Sequence, residues 1–288
     1  MAATAQTITP DLRRWIIAQA EAGCQPDAVL QAMKASGWDE DVAMAALEQT
    51  LSERLNELHP DAHVAPPETA VRLPEPNMPS GECMLDIEGH PVRILTTMRH
   101  PRVIVFGGLL SDAECTELMA LSRPRLERSK TVDNATGGDE VNASRTSDGM
   151  FFERGEKPLI ERIELRIAAL LCWPVDHGEG LQILRYRPGA EYRPHHDYFD
   201  PVHPGTAKIL QRGGQRLASL VMYLNTPTGG GATTFPDVGL EVGPVRGNAV
   251  FFSYDRAHPS TRTLHGGAPV TAGEKWVATK WLRQGVFT

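Results

Sequence analysis

Tyr192-Arg193-Pro194-His195-His196-Asp197-Tyr198-Phe199 is the stretch on which the reading of this chain turns. In an extended strand, residues i and i+2 project to the same side. His195 and Asp197 therefore aim an imidazole and a carboxylate at one point, while His196 faces the other way. That pair is two thirds of the 2-His-1-carboxylate set that holds non-haem Fe(II) with coordination positions left open. A third ligand has to come from elsewhere in the chain.

Strand patterns surround the stretch. Residues 181–186, 215–224, 247–254 and 275–282 are short apolar or β-branched runs, separated by turns such as Arg187-Pro188-Gly189 and Thr228-Gly229-Gly230-Gly231. Upstream, Val103-Ile104-Val105-Phe106 is a short strand. Ser111 opens a capping-box helix that ends near Ser122, and residues 158–172 form an amphipathic helix carrying Ile160, Ile163 and Ile167. Helices followed by a run of strands predict an α+β domain with a barrel or double-sheet core. Most of the ten histidines precede proline or sit in polar turns. His265 differs, standing at the end of an expected strand in Thr263-Leu264-His265-Gly266-Gly267. Ten residues later Lys275 begins a strand in which Lys275, Val277, Thr279 and Trp281 share one face. A lysine on an inner face is costly unless an anion pairs with it, and a bound dicarboxylate would be that anion.

Five segments together, YRPHHDYF (192–199), GGQR (213–216), GGATTFP (230–236), LHGGAPV (264–270) and GEKWVATKW (273–281), resemble the prolyl 4-hydroxylase family of Fe(II)/2-oxoglutarate-dependent dioxygenases. The resemblance spans roughly residues 100–285 and keeps motif order and spacing. It implies a double-stranded β-helix (jelly-roll) with supporting helices on one sheet. His195, Asp197 and His265 would be the iron ligands, and Lys275 would pair with the distal carboxylate of 2-oxoglutarate. Tyr186 and Thr233 match positions that hydrogen-bond the same carboxylate. Tyr192, Arg216 and Trp281 match positions on the peptide side. The polar segment 132–149, with Arg145-Thr146-Ser147, resembles a mobile loop that folds over substrate, which adds Arg145 to the expected substrate contacts. The implied activity is hydroxylation of a prolyl residue in a peptide or protein. It consumes O2, converts 2-oxoglutarate to succinate and CO2, and uses ascorbate (vitamin C) as the iron reductant. Ala232 and Ala268 depart from the usual Glu and Cys at positions that bind neither metal nor co-substrate. Arg283 stands where algal-type relatives have a peptide-contacting His, which bears on substrate preference. Hydroxylation of a free amino acid or other small molecule, and a non-catalytic binding module, are the alternatives.

Composition sets limits. At 288 residues, with 41% hydrophobic and 23% charged residues, the chain is ordinary for a globular protein of one or two domains. A net charge of −7 argues against a nucleic-acid partner. No apolar run approaches the ~20 residues that span a bilayer, so no membrane partner is expected. Cys24, Cys83, Cys115 and Cys172 are scattered without a CxxC pair, and no export signal opens the chain, which predicts free thiols in a reducing, cytoplasmic setting.

Residues 1–58 read as a separate three-helix domain. Thr9 caps the first helix with Pro10 at its start, Pro26-Asp27 opens the second, and Asp39 caps the third. The segment AMKASGWDEDVAMAAL (32–47), with its Gly-Trp corner, resembles ubiquitin-associated-type domains. Its roles divide between docking a protein partner and serving as a helical cap or oligomerisation element. Trp15 and Trp38 are expected in its core, because so small a unit has few other large residues to bury. Residues 59–82 are a proline-rich linker, and 83–288 the catalytic domain. The linker's His59-Pro60-Asp61 also fits His-x-Asp but lacks a strand pattern to hold a metal.

Overall fold

The computed structural model describes residues 8–24, 26–58, 72–78, 82–129, 131–132, 139–140 and 145–288. The decoy His59-Pro60-Asp61 and most of the expected linker and loop lie outside them. The chain divides into two compact units, Met1–Pro66 and Pro67–Thr288.

The first unit holds α1 (Pro10–Glu21), α2 (Pro26–Ala35) and α3 (Glu40–Leu58). The Thr9 hydroxyl accepts from the Leu12 amide at 3.3 Å, and Pro10 occupies a position where a missing N–H costs nothing. Gly37, at φ +89°, turns the chain out of α2, and the Asp39 carboxylate accepts from the Asp41 amide at 3.0 Å. Ile16, Val29, Met33, Ala43, Ala46 and Leu47 form the core, with Trp38 packed partly buried against it. Trp15 departs from expectation and is 38% exposed. Neighbours on a helix lie about 100° apart, so burying Ile16 turns Trp15 toward the rim.

The second unit contains β1 (Met84–Ile87), β2 (His90–Met98), β3 (Arg102–Gly107), α4 (Asp112–Ser122), β4 (Glu127–Arg128), β5 (Thr131–Val132), β6 (Asp139–Glu140) and β7 (Asp148–Phe152). Then follow α5 (Pro158–Leu171), β8 (Leu181–Tyr186), β9 (Tyr192–His195), α6 (Thr206–Leu210), β10 (Arg216–Tyr223), β11 (Gly229–Gly230), β12 (Thr233–Phe235) and β13 (Leu240–Val242). The chain ends with β14 (Ala249–Ser253), β15 (His265–Gly267), β16 (Val270–Ala272) and β17 (Lys275–Arg283). Among the described residues nine strands make one sheet, ordered β1-β2-β3-β14-β10-β17-β8-β7-β4, and β13-β12-β15-β9 make a second. These two antiparallel layers with helices on the outer side are the expected jelly-roll.

Strand parity assigns the two cores. Phe235 and Val242 of the small sheet pack with Tyr186, Tyr223, Phe252 and Val277 of the large one. The alternate residues of the same strands, among them Ile183, Met222, Phe251 and Trp276, pack with Leu118 of α4 and Ile163 and Ile167 of α5. Strands buried on both faces read as continuous apolar runs, which is why they stand out in the sequence. By contrast β2, between β1 and β3, buries only Val92 along its nine residues and so leaves no clear apolar pattern. Strand β7 begins inside the segment expected to be loop. α4 is capped by the reciprocal Ser111–Glu114 bonds, and α5 ends at Cys172 in the left-handed conformation, φ 49°.

Candidate active site

The three candidate ligands meet between the sheets. Strand β9 ends at His195, so Asp197 stands in the bend just beyond the strand rather than within it. β15 pairs antiparallel with β9 and sets His265 directly across from His195, with ring centroids 4.4 Å apart. Asp197 lies between them, one oxygen 3.4 Å from His195 Nε2 and the other 3.4 Å from His265 Nε2. One ligand atom from each residue falls within 4.8 Å of the others. Gly266 makes the approach of the strands feasible: a Cβ there would stand 2.9 Å from the Tyr192 carbonyl oxygen and 3.2 Å from Pro194 N.

The protonation state suits a metal. His195 Nδ1 donates to the Arg193 carbonyl and His265 Nδ1 to the Thr263 carbonyl, both at 2.9 Å. A carbonyl can only accept, so Nδ1 carries a proton in each ring and Nε2 is the atom presented for a ligand bond. Burial, with His265 beside it, lowers the His195 pKa and keeps the ring neutral. Burial alone would raise the Asp197 carboxyl, but His265 and His195 hold it well below the usual range. Two imidazoles and one carboxylate with a common focus fit an iron(II) ion. Asp197 Oδ2 also accepts from the Ser219 hydroxyl at 2.6 Å, and Ser219 meets Tyr254 Oη at 3.2 Å. Sequence reasoning missed both. The available signal was a serine at an inward-facing position of the apolar run 217–223.

Behind the metal focus lies Lys275, 4% exposed and directly across from Tyr186 in the β17–β8 pairing. Its ammonium sits 5.5 Å from the Tyr186 ring and 5.8 Å from that of Tyr223. No carboxylate among the described residues offsets its burial, which alone lowers its pKa to about 8. Thr233 faces the same space from β12, across from Gly267. Its hydroxyl accepts from Tyr223 Oη at 2.8 Å, leaving its own hydrogen free to point into the pocket.

On the outer side, the Tyr192 ring stacks on His195 at 3.7 Å, and the Arg145 guanidinium lies 4.9 Å over Tyr192. Arg145 is held by Gln182 Oε1 at 2.7 Å. Thr146 exchanges bonds with Glu191 at 2.9 and 3.1 Å, which ties this end of the expected loop to the pocket rim. Trp281 forms a wall, and its indole N–H has no partner among the described residues. Nine of the ten expected site residues line this one cavity. Arg216 is the exception and sits behind Trp281, its guanidinium 3.9 Å over the indole. Arg283 is 3% exposed, ion-paired with Glu179 and donating to the Gly214 carbonyl, and does not line the cavity. His196 stacks on Tyr198 at 4.6 Å, off the site.

Residues 181–283 match the model of the 2OG-Fe(II) oxygenase superfamily. Prolyl 4-hydroxylase 2 of Arabidopsis thaliana is 37% identical over 222 residues, covering 69% of this chain and 72% of that protein. Prolyl 4-hydroxylase 1 of the same plant is 43% identical over 202 residues, covering 64% and 69%. Among solved structures, the viral collagen prolyl hydroxylase of Paramecium Bursaria Chlorella virus-1, in its 2-oxoglutarate complex, is 31% identical. That match covers 63% of this chain and 95% of the viral one, with a TM-score of 0.48.

Proposed function

The chain belongs to the prolyl 4-hydroxylase family of 2-oxoglutarate- and Fe(II)-dependent oxygenases, and from that premise we propose that it hydroxylates a prolyl residue in a peptide or protein. The observation that carries the reading is a His-Asp-His focus backed by a buried lysine with no carboxylate beside it among the described residues. Iron and 2-oxoglutarate, when bound, supply the oxidising power that uses O2 to place oxygen on an unreactive C–H bond, leaving succinate and CO2.

In this reading His195, Asp197 and His265 would hold the metal and leave coordination positions open for co-substrate and O2. Lys275 pairs with the far carboxylate of 2-oxoglutarate, and the hydroxyls of Tyr186 and Thr233 donate to it. Tyr192, Trp281 and Arg145 shape the substrate side and exclude water, and Arg216 acts there through the Trp281 ring. Ascorbate would serve as the reductant for the iron. Residues 83–288 form the catalytic domain, 1–58 a module with its own protein partner, and 59–82 the linker. Free thiols at Cys24, Cys83, Cys115 and Cys172 support a reducing, cytoplasmic setting.

The test is Fe(II)-dependent succinate release with proline-rich peptides, with mass spectrometry for one added oxygen atom. His195→Ala, Asp197→Ala and His265→Ala are each expected to abolish it. Wild-type rates in all three variants would remove the metal site, and turnover with free amino acids alone would move the substrate class to small molecules.

A further inference from the structure

Strand β17 serves both layers. Lys275, Val277, Thr279 and Trp281 face the cavity, whereas Lys280 points to the helix side and is 2% exposed. There its ammonium donates to Glu164 Oε1 of α5 at 2.5 Å and to the Glu179 carbonyl. The other Glu164 oxygen accepts from the Gly155 amide at 2.9 Å. Space for the lysine exists because residue 178 is glycine: a Cβ there would lie 2.5 Å from Lys280 Cε. A buried ion pair is weak evidence for stability, since an apolar pair of the same volume is commonly as good. What Lys280 reaches is more informative than the pair itself.

Glu179 is fixed at every polar atom. Its amide donates to the Trp281 carbonyl at 3.0 Å, and its carbonyl receives Lys280. Its carboxylate takes Arg216 through Nε and Nη2 at 2.6 and 2.9 Å, with Arg283 Nε at 2.9 Å. Arg216 in turn lies over the Trp281 ring at 3.9 Å and donates from Nη1 to the Asp197 carbonyl at 3.4 Å. An unbroken line of charged contacts thus runs from α5, past the edge of β17, to the backbone of a proposed metal ligand and the back of the substrate wall.

We propose that Glu164, Lys280 and Glu179 are positioning residues that set Arg216, and through it Trp281, for substrate; the proposal rests on the functional reading above. Without the lysine, the Glu179 carbonyl loses its buried donor and the Glu179-Gly180 peptide is free to rotate. The carboxylate then shifts and Arg216 leaves the indole plane. Lys275 and its pocket lie on the other face of β17 and are untouched.

The experiment measures succinate release and kinetic constants with a synthetic peptide of consecutive prolines. Lys280→Met is expected to raise the peptide KM about ten-fold, on the scale of a sub-ångström misplacement, with the wild-type KM for 2-oxoglutarate. The double variant Lys280→Met/Glu164→Leu removes both charges, so it regains thermal stability while the peptide KM stays raised. Glu179→Gln, which keeps every backbone bond, is expected to show the same rise and covers the case of a Lys280→Met chain that does not fold. A folded double variant or Glu179→Gln with the wild-type peptide KM would overturn the relay alone. A wild-type enzyme inert towards the peptide would overturn the functional reading and the relay with it.

Discussion

Lys275 concentrates the chemistry of the site in one charge. Its pKa of about 8 lies below the ordinary lysine value because the ammonium is buried. The ligand-free folded chain therefore binds fewer protons than the unfolded chain between about pH 10.4 and pH 8. Stability is consequently lost as pH falls through that window, by up to about 3 kcal/mol for this residue. Lys275→Met is expected to recover that amount in urea denaturation at pH 7, with the gain vanishing near pH 10. The same variant should raise the 2-oxoglutarate KM by at least about ten-fold, the scale of one charge-assisted contact. In the wild-type enzyme the 2-oxoglutarate KM should climb as pH passes about 8, where the free ammonium is lost. A KM that is flat from pH 7 to pH 9, or a less stable Lys275→Met, would count against the lysine as the co-substrate anchor. This residue is legible in the sequence because a lysine at inward parity in an apolar strand demands an anion. Ser219 and Tyr254 are not, since a hydroxyl on a strand has many uses and only the fold brings Asp197 to it.

At the scale of elements, the site depends on how closely β15 can lie against β9. Gly266 admits the Tyr192 carbonyl to within 2.9 Å of where its Cβ would be, and backbone cannot yield as a side-chain tip would. Gly266→Ala is expected to push β15 outward, separate His265 from His195, and weaken metal binding by about 10- to 100-fold. Ser219→Ala should weaken it through a different route, by releasing Asp197 Oδ2 from its donor. Titration of the metal-free chain with Fe(II) under anaerobic conditions measures both, and an unchanged affinity in Gly266→Ala would show that the strands can part without cost. Strand β17 illustrates what an element's sequence can and cannot convey. Alternation alone puts Lys275 and Trp281 on one face and Lys280 on the other. That Lys280 meets Glu164, 116 residues earlier, follows only from α5 packing across the sheet.

Over the whole molecule, two units each own a core: Ile16, Val29 and Met33 anchor the helical one, and the layered clusters anchor the other. Binding of Fe(II) and 2-oxoglutarate adds stability only to the unit that contains the site, by about 2.7 kcal/mol at a hundredfold excess over Kd. Calorimetry of the full chain should thus show one transition that moves with ligand and one that does not. A chain of residues 67–288 should keep the wild-type 2-oxoglutarate KM. Loss of the KM in that fragment, or both transitions moving together, would mean that the helical unit completes the site. No helix among the described residues is long and apolar enough to cross a membrane.

The sequence by itself determined the elements and the chemical cast. Runs buried on both faces announce the central strands, Thr9, Ser111 and Asp39 announce helix starts, and His-x-Asp with a distant histidine and lysine announces a metal and a dicarboxylate. These are local signals, set by parity, capping and charge within a few residues. The tertiary structure decided what depends on contacts between distant segments. It put Arg216 behind Trp281 instead of on the cavity wall, left Trp15 at the rim of its unit, and carried Asp197 just past the end of β9. Packing between elements fixes those positions, because a side chain's address in three dimensions is set by whichever strand or helix packs against it.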